Sequence, residues 1–437
     1  MIKATSIGAA TSRCALSDQI QSYRTRNFTP IEESKTNSLR GLLNKQLPTL
    51  VSLCIGTLSA NFESLSQTHG LGRQFMPQLL ERLPLDLDIR IATKYVADQR
   101  YWKRRCMSQK VWSENTSIVH HGQSWKQLHL EKYLQHTLQN FDAQVSDFKS
   151  LLSTTESVRN YIFSLEIEQL LSHLDLNEVC GRLCNLTRLC VTFGAKKVGM
   201  KYDRMLFGMK SSDARTLSHY FKVTDTLTTL CLPNNSIDDE LLRMLMAGLM
   251  NNKTITMLNL SHNKIGDGGA RVLARLLGPD SILTCLDLYD NHISASGGEF
   301  LGQGLEQNTS LCELNLRLNR LTDKGGHMLA QSLIGHNSIK ILDLSNNQLE
   351  KESAESLATV IANPKCTLRS IDLSGNLIKE ENVEFLLQAL QQNTDLISLD
   401  LRQNQISASA SCLVQVARIL RINEMTSSVH ARSRGSV

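Results

Sequence analysis

Aromatic residues are scarce, at 5% of the 437 positions, and proline occurs only 7 times. With 41% hydrophobic and 20% charged residues beside them, these numbers exclude a proline-rich, collagenous or disordered chain. No apolar run reaches the ~18–20 residues that a bilayer-spanning helix needs. The longest candidate, LVSLCIGTL (50–58), is broken by polar and small residues, so no transmembrane span and no membrane partner is expected. The N-terminal MIKATSIGAATSRCALSDQ lacks an apolar h-region, which argues against a secretory signal; its Ser, Thr, Lys and Arg leave a transit peptide as the lesser alternative. A formal charge of +5 falls short of the clustered basicity of a dedicated nucleic-acid binder.

The 11 cysteines include no CxxC, so a cytosolic chain with reduced thiols is expected. Cys180 and Cys184 share a helical face, but no further His or Cys completes four metal ligands beside them. No strand–Gly–helix phosphate loop, GxSxG, HExxH or zinc spacing occurs, and no catalytic residue, metal or cofactor is assigned. Asp86 and Asp88 lie i, i+2 near a helix start, where dipole compensation explains them better than acid–base work. The sequons at Asn259 and Asn308 fall inside a cytosolic repeat and are read as chance matches.

What the chain does have is self-similarity. LTTLCLPNNSI (227–237) aligns with ITMLNLSHNKI, LTCLDLYDNHI, LCELNLRLNRL, IKILDLSNNQL, LRSIDLSGNLI and LISLDLRQNQI. Asn235, Asn263, Asn291, Asn319, Asn347, Asn376 and Asn404 recur every 28 residues, once after 29. This is a leucine-rich repeat with one short strand and one helix per unit. Side chains alternate along a strand, so Leu286 and Leu288 point inward while the residue between them points out. The Asn turns inward, where its amide can satisfy main-chain groups of a neighbouring coil. Helical spacing follows it: Ala270, Leu273, Ala274 and Leu277 stand at i, i+3, i+4 and i+7. The glycine pairs 268–269, 297–298 and 325–326 are expected to let these helices start close to the sheet. Narrow strands inside and wider helices outside force curvature. The fold class is α/β, a ribonuclease-inhibitor-like horseshoe preceded by an α-helical N-terminal domain.

Upstream, LTRLCVTFG (186–194) and IFSLEIEQL (162–170) keep the strand spacing without the Asn and are read as capping repeats. Between Leu186 and Leu227 the chain gains about a dozen residues over the period, an insertion near 195–215. The expected organisation is a flexible N-terminus (1–40), a helical docking domain (41–155), the solenoid (156–423) and a flexible basic tail (424–437). The central outward column reads Cys231, Asn259, Asp287, Asn315, Asp343, Asp372, Asp400, flanked by Tyr289, Glu313, Arg317 and Arg402. Asp and Asn suit a solvated strand face of this repeat; the alternative is a site for a basic partner. Tyr289, the aromatic of this face, is its hot-spot candidate.

In the helical half, RYWKRRC (100–106) sets two aromatics among four cations. One reading buries the aromatics against Trp112 and Trp125 beside a solvated basic flank. The other makes Tyr101, Trp102, Lys103, Arg104 and Arg105 a docking surface for an acidic protein partner. Nucleic acid is disfavoured, since binders interleave aromatics and cations over a wider surface.

LPLDLDIRIATKYVADQRYWKRR, SWKQLHLEKYLQ, SLEIEQL, LTRLCVTFGAKKVGMKYDRMLF and LNLRLN together resemble the dynein regulatory complex subunit 5 family, also called the t-complex-associated testis-expressed protein family. YWKRR and GMKYDRMLF discriminate; the repeats alone would not. The resemblance covers about Leu47 to Asn423. It implies a non-enzymatic leucine-rich-repeat scaffold of the nexin–dynein regulatory complex, which links outer doublet microtubules in the axoneme of motile cilia and flagella. Partners would be the other subunits of that heteromeric complex, with doublet microtubules or dynein as further candidates. Two rival resemblances stay open. LPLDLDIRI fits the start of an F-box (Leu83, Pro84, Asp86, Leu87, Ile91), as in ubiquitin-ligase substrate receptors, although KYVADQRYWKRR departs from the rest of that motif. Ran-type GTPase-activating proteins share the repeat length and would give Arg317 a role, but their long acidic tail is missing here.

Overall fold

The computed structural model describes residues 49–64, 73–108, 124–142, 146–170, 173–194, 207–407 and 409–434. The expected flexible N-terminus, Trp112 and most of the expected insertion lie outside the described residues. Two compact units divide between Leu83 and Pro84, inside the segment expected as one helical domain. In the first, α1 (Leu50–Ala60) and α2 (Met76–Arg82) are tied together by polar contacts. Arg82 donates to the Ser52 carbonyl (2.6 Å) and hydroxyl (2.8 Å), and the Ser59 hydroxyl donates to the Arg82 carbonyl (2.6 Å).

The second unit is built on one parallel sheet of nine strands in strict sequence order: β1 (Ser164–Leu170), β2 (Arg188–Phe193), β3 (Thr229–Cys231), β4 (Met257–Asn259), β5 (Cys285–Asp287), β6 (Glu313–Asn315), β7 (Ile341–Asp343), β8 (Ser370–Asp372) and β9 (Ser398–Asp400). Both strands of the expected capping repeats are in it. Leu230, Leu258, Leu286, Leu314, Leu342 and Ile371 stack in register and are at most 1% exposed, the continuous core that each repeat alone could not bury. Helices such as Asp267–Leu276 return the chain on the outer side, and neighbouring helices pack in sequence order. Glycines set how closely they approach. A Cβ on Gly304 would lie 2.6 Å from the Ala274 carbonyl oxygen of the preceding helix, and one on Gly325 2.7 Å from the Ala295 Cα. The nearest neighbours of the glycine pairs lie on adjacent helices and on the coil that leads into a helix, so the pairs admit helix to helix, where the sequence suggested helix to sheet.

The repeat asparagines act as expected and go further. Asn263 Oδ1 accepts the main-chain N–H of Asn235 and Ile237, both 3.0 Å, from the preceding coil. Its Nδ2 donates to the carbonyls of Leu232 and Leu260, at 3.0 and 2.8 Å. Asn291, Asn319, Asn347, Asn376 and Asn404 repeat this bridge between coils. Turning the Asn inward requires a left-handed residue just before it. Asn234, His262, Asp290, Leu318, Asn346, Gly375 and Gln403 all have φ between 52° and 68°. Leu318 suits this conformation poorly, since a γ-branched side chain gains none of the local hydrogen bonding that Asn or Asp has there.

A regular array also needs a start. Each later strand is entered by two successive N–H groups donating to the carbonyl of the residue just ahead of the preceding strand: Thr187 and Arg188 to Phe163, Thr228 and Thr229 to Thr187, Thr256 and Met257 to Thr228. Among the described residues, no strand precedes β1. Its equivalent donors, Phe163 N and Ser164 N, both reach Oε1 of Glu131, at 2.9 and 3.0 Å. Glu131 is 6% exposed and lies on α5 (Trp125–Gln139), which packs against β1. Its carboxylate replaces the carbonyl of the missing repeat. The helices α3 (Ile89–Tyr95), α4 (Gln99–Ser108), α5 and α6 (Phe148–Val158) thus form the N-terminal cap of the array. At the other end, the helix Ser411–Arg434 runs on through most of the segment expected as a loose tail. TSSVHARSR holds neither proline nor glycine, and Gly435 is the first residue there that favours a stop.

Two stability measurements check these roles. Glu131→Gln keeps the Oε1 acceptor and is expected to leave the unfolding midpoint near wild type. Glu131→Leu orphans two N–H groups and should cost about 2–4 kcal/mol, with faster hydrogen exchange at Phe163 and Ser164. Leu318→Asn is expected to stabilise by about 1 kcal/mol in denaturant titration, because Asn tolerates the left-handed backbone.

Candidate docking surfaces

The basic aromatic segment is α4. Asp98 caps it, its Oδ1 accepting the N–H of Arg100 (2.7 Å) and Tyr101 (3.0 Å). Tyr101 and Trp102 are fully buried and Arg105 is 4% exposed. The Tyr101 hydroxyl donates to the Pro84 carbonyl (3.0 Å) and Trp102 Nε1 to the Val96 carbonyl (2.9 Å). Arg105 donates to the Tyr101 hydroxyl (3.2 Å) and the Leu87 carbonyl (2.7 Å). These three residues form the core of the cap, which corrects the expectation that they line its surface. Residues 101, 102, 105 and 106 share one helical face, and the Leu87 carbonyl and Tyr101 hydroxyl replace water at the two Nη atoms of the guanidinium, while its Nε is buried without a partner. The outward part is Arg100, Lys103 and Arg104, with Lys103 5.5 Å from the centre of the half-buried Trp125 ring.

Sequence reasoning did not single out the buried polar groups on α5. Lys126 Nζ donates to the Thr93 carbonyl (2.7 Å) and stands 4.4 Å from the Tyr161 ring centre. His129 is 1% exposed, its ring 5.4 Å from Trp102, with Nδ1 3.7 Å from the Cys106 sulfur and Nε2 buried without a partner. Burial, seconded by the Arg105 charge, holds the His129 imidazole down to about 3 from the ordinary 6.5. Burial pushes the Cys106 thiol up to about 12, which makes it inert.

On the groove face of the sheet, Cys231, Asn259, Asp287, Asn315, Asp343, Asp372 and Asp400 stand in register as one column. From Asn259 onward each member uses Oδ1 to accept the N–H two residues ahead: Ser261, Tyr289, Arg317, Ser345, Ser374 and Arg402, at 2.8–3.0 Å. This turn explains why both Asp and Asn occur there: both supply the acceptor. The stripe is therefore partly structural, one oxygen of each carboxylate being committed to the backbone. Asp287 is pushed above the ordinary carboxylate range by burial, and Asp400 is held below it by hydrogen bonds from Arg402. Tyr289 is half-buried between the His262 ring (4.6 Å) and the Arg317 guanidinium (5.5 Å), while His262 pairs with Asp290 at 2.7 Å. Glu313 is exposed and accepts from the Cys285 thiol at 3.7 Å. The structure thus gathers Asp287, Tyr289, Glu313, Arg317 and Asp343 on the middle of the sheet, and Asp372, Asp400 and Arg402 at its C-terminal edge.

Acids on the helix side form a second ladder. Asp267 accepts from Ser294 N (2.8 Å) and Gly297 N (2.9 Å) in the next repeat. Asp323 likewise accepts from Glu350 N, Glu352 N and Ser353 N, all 2.9 Å. Each carboxylate caps the following helix, 27–30 residues away.

The fold defines a leucine-rich-repeat protein. A family model described as Leucine Rich repeat matches residues 251–274, 281–302, 307–330 and 335–358. The resemblance to dynein regulatory complex subunit 5 also holds among curated proteins. The subunit of that name from Chlamydomonas reinhardtii is 39% identical over 196 residues, covering 45% of this chain and 50% of the relative. Those from mouse and human are each 30% identical, covering 47% of this chain and 46% of the relative. The chain spans about half the length of these curated relatives. Among solved structures, the tropomodulin C-terminal domain of Caenorhabditis elegans is 17% identical with a TM-score of 0.26, over 51% of this chain and 99% of that one; nothing functional rests on it.

The buried His129 predicts an acid-sensitive cap. Its folded pKa lies below its unfolded value, so the unfolded chain binds more protons between the two and stability falls as pH drops below about 6.5, by about 1.4 kcal/mol per unit. Denaturant titrations at pH 7 and pH 5 should differ by roughly 2 kcal/mol in wild type, and by much less in His129→Phe.

Proposed function

We propose that this chain is a non-enzymatic scaffold subunit of the nexin–dynein regulatory complex, docked in the axoneme of motile cilia and flagella, where it helps link outer doublet microtubules and regulate dynein. The observation that carries the reading is the 39% identity to the algal dynein regulatory complex subunit 5 over 196 residues. The architecture supports it. Cap and solenoid belong to one compact unit whose outward Lys103 and Arg104 and whose acidic groove can engage two neighbours at once. Two modest surfaces on one stiff body hold a large assembly through effective concentration. The partners are other subunits of the complex, with basic segments suited to Asp343 and Asp372 and acidic ones to the cap; doublet microtubules or dynein are further candidates. No described helix is long and apolar enough to cross a membrane.

Fractionation of demembranated motile cilia tests this. The protein is expected to stay with the axoneme and to leave in high salt together with the regulatory-complex subunits. Lys103→Glu/Arg104→Glu should lower its retention several-fold, and more than Asp343→Lys does. Wild-type retention of both variants would contradict docking through these faces. Recovery in the soluble fraction on a cullin-ligase adaptor would favour the F-box reading instead.

A further inference from the structure

Cys190 and Cys231 are register partners on β2 and β3, in the groove-facing column that continues as Asn259 and Asp287. In-register neighbours of a sheet lie about 4.8 Å apart, within the ~4.4–6.8 Å between Cα atoms that a disulfide bridges. Neither cysteine is in a disulfide. Cys190 is half-buried and Cys231 is 8% exposed, both at the floor of an open groove. On one side Arg188 pairs with Glu166 at 3.2 Å; on the other stands Asn259.

The chemistry of the pair differs from that of the thiols of Cys180 and Cys285. When one proton leaves, the remaining S–H donates into the thiolate and the Arg188 guanidinium adds positive potential, which bring Cys231 down to about 7 against the effect of burial. The charge already present holds the second proton back. By contrast, burial pushes Cys180 up to about 12 and Cys285 up to about 11.

We propose that Cys190 and Cys231 are a redox-active dithiol that closes reversibly to a disulfide by exchange with a low-molecular-weight disulfide of the glutathione type. The thiolate attacks one sulfur of glutathione disulfide, the S–S bond breaks, and one glutathione leaves as thiolate and takes a proton. The second cysteine loses its proton to solvent and attacks the mixed disulfide, expelling the other glutathione. The protein loses two electrons and two protons, and the small disulfide is reduced to two thiols. The bond would staple the capping repeats to the regular ones across a connection of 41 residues, against 28 in a regular repeat. It would also remove two thiols from the groove beside Asn259.

The test uses the reduced full-length chain incubated with glutathione buffers of increasing oxidised fraction, followed by mass spectrometry. The expected product has lost two hydrogens, carries a link between tryptic peptides 189–196 and 223–243, and returns to the starting mass with dithiothreitol. Cys285→Ser should leave the link intact. Cys190→Ser and Cys231→Ser should abolish it, Cys190→Ser retaining a glutathione adduct on Cys231. Oxidation should raise the unfolding midpoint in wild type and in neither single variant. A stable glutathione adduct on wild-type Cys231, a link to another cysteine, or an unmodified pair at a glutathione ratio that oxidises a control dithiol would each overturn the proposal.

Discussion

The second unit depends on one inward-turned amide repeated seven times, buried in every copy but Asn404 at the C-terminal end. A coil leaving a strand would bury main-chain N–H and C=O groups with no partner, and orphaning even one costs about 1–3 kcal/mol. Asn can satisfy a donor and an acceptor at once, from the coil before it and from its own, as Asn263 does with Ile237 N and the carbonyls of Leu232 and Leu260. Successive coils are thereby spaced by hydrogen bonds as well as by leucine packing. The left-handed residue before each Asn is the backbone cost of aiming it inward.

The ends of such a stack need different solutions. At the N-terminal end Glu131 imitates a strand carbonyl, and the helices that hold it pack around Trp102, Tyr101 and Arg105, whose two Nη atoms are hydrogen-bonded while its Nε is buried without a partner. The cap is thus continuous with the sheet through two hydrogen bonds. That leaves Arg100, Lys103 and Arg104 as the outward basic patch beside a solenoid whose groove carries the opposite charge.

The strands, their register, the ladder asparagines and the capping repeats were legible in the sequence because a fixed period makes each copy test the others. Other features were hidden for physical reasons. Glu131 acts on residues 163 and 164, more than thirty positions away and outside any repeat, and nothing in its neighbourhood marks it. Asp267 and Asp323 look like ordinary first-turn acids, yet they cap the next helix rather than their own. RYWKRRC reads as a charged surface because its cations outnumber its apolar residues, and only the cap shows that Arg105 turns inward with the rings. At His336, an imidazole stands where Asn252, Asn308 and Asn393 close the same turn, with its Nδ1 facing Ser338 N at 3.4 Å. The template offered no slot for histidine there.

The central claim is that the cap patch and the acidic groove face neighbouring subunits in the axoneme. Cross-linking mass spectrometry on intact axonemes tests it directly, with an amine reagent for Lys103 and carboxyl–amine coupling for Asp343 and Asp372. The account predicts links from both faces to other regulatory-complex subunits. Links confined to the outer helices, or an absence of links to that complex from a protein fully retained in the axoneme, would contradict it.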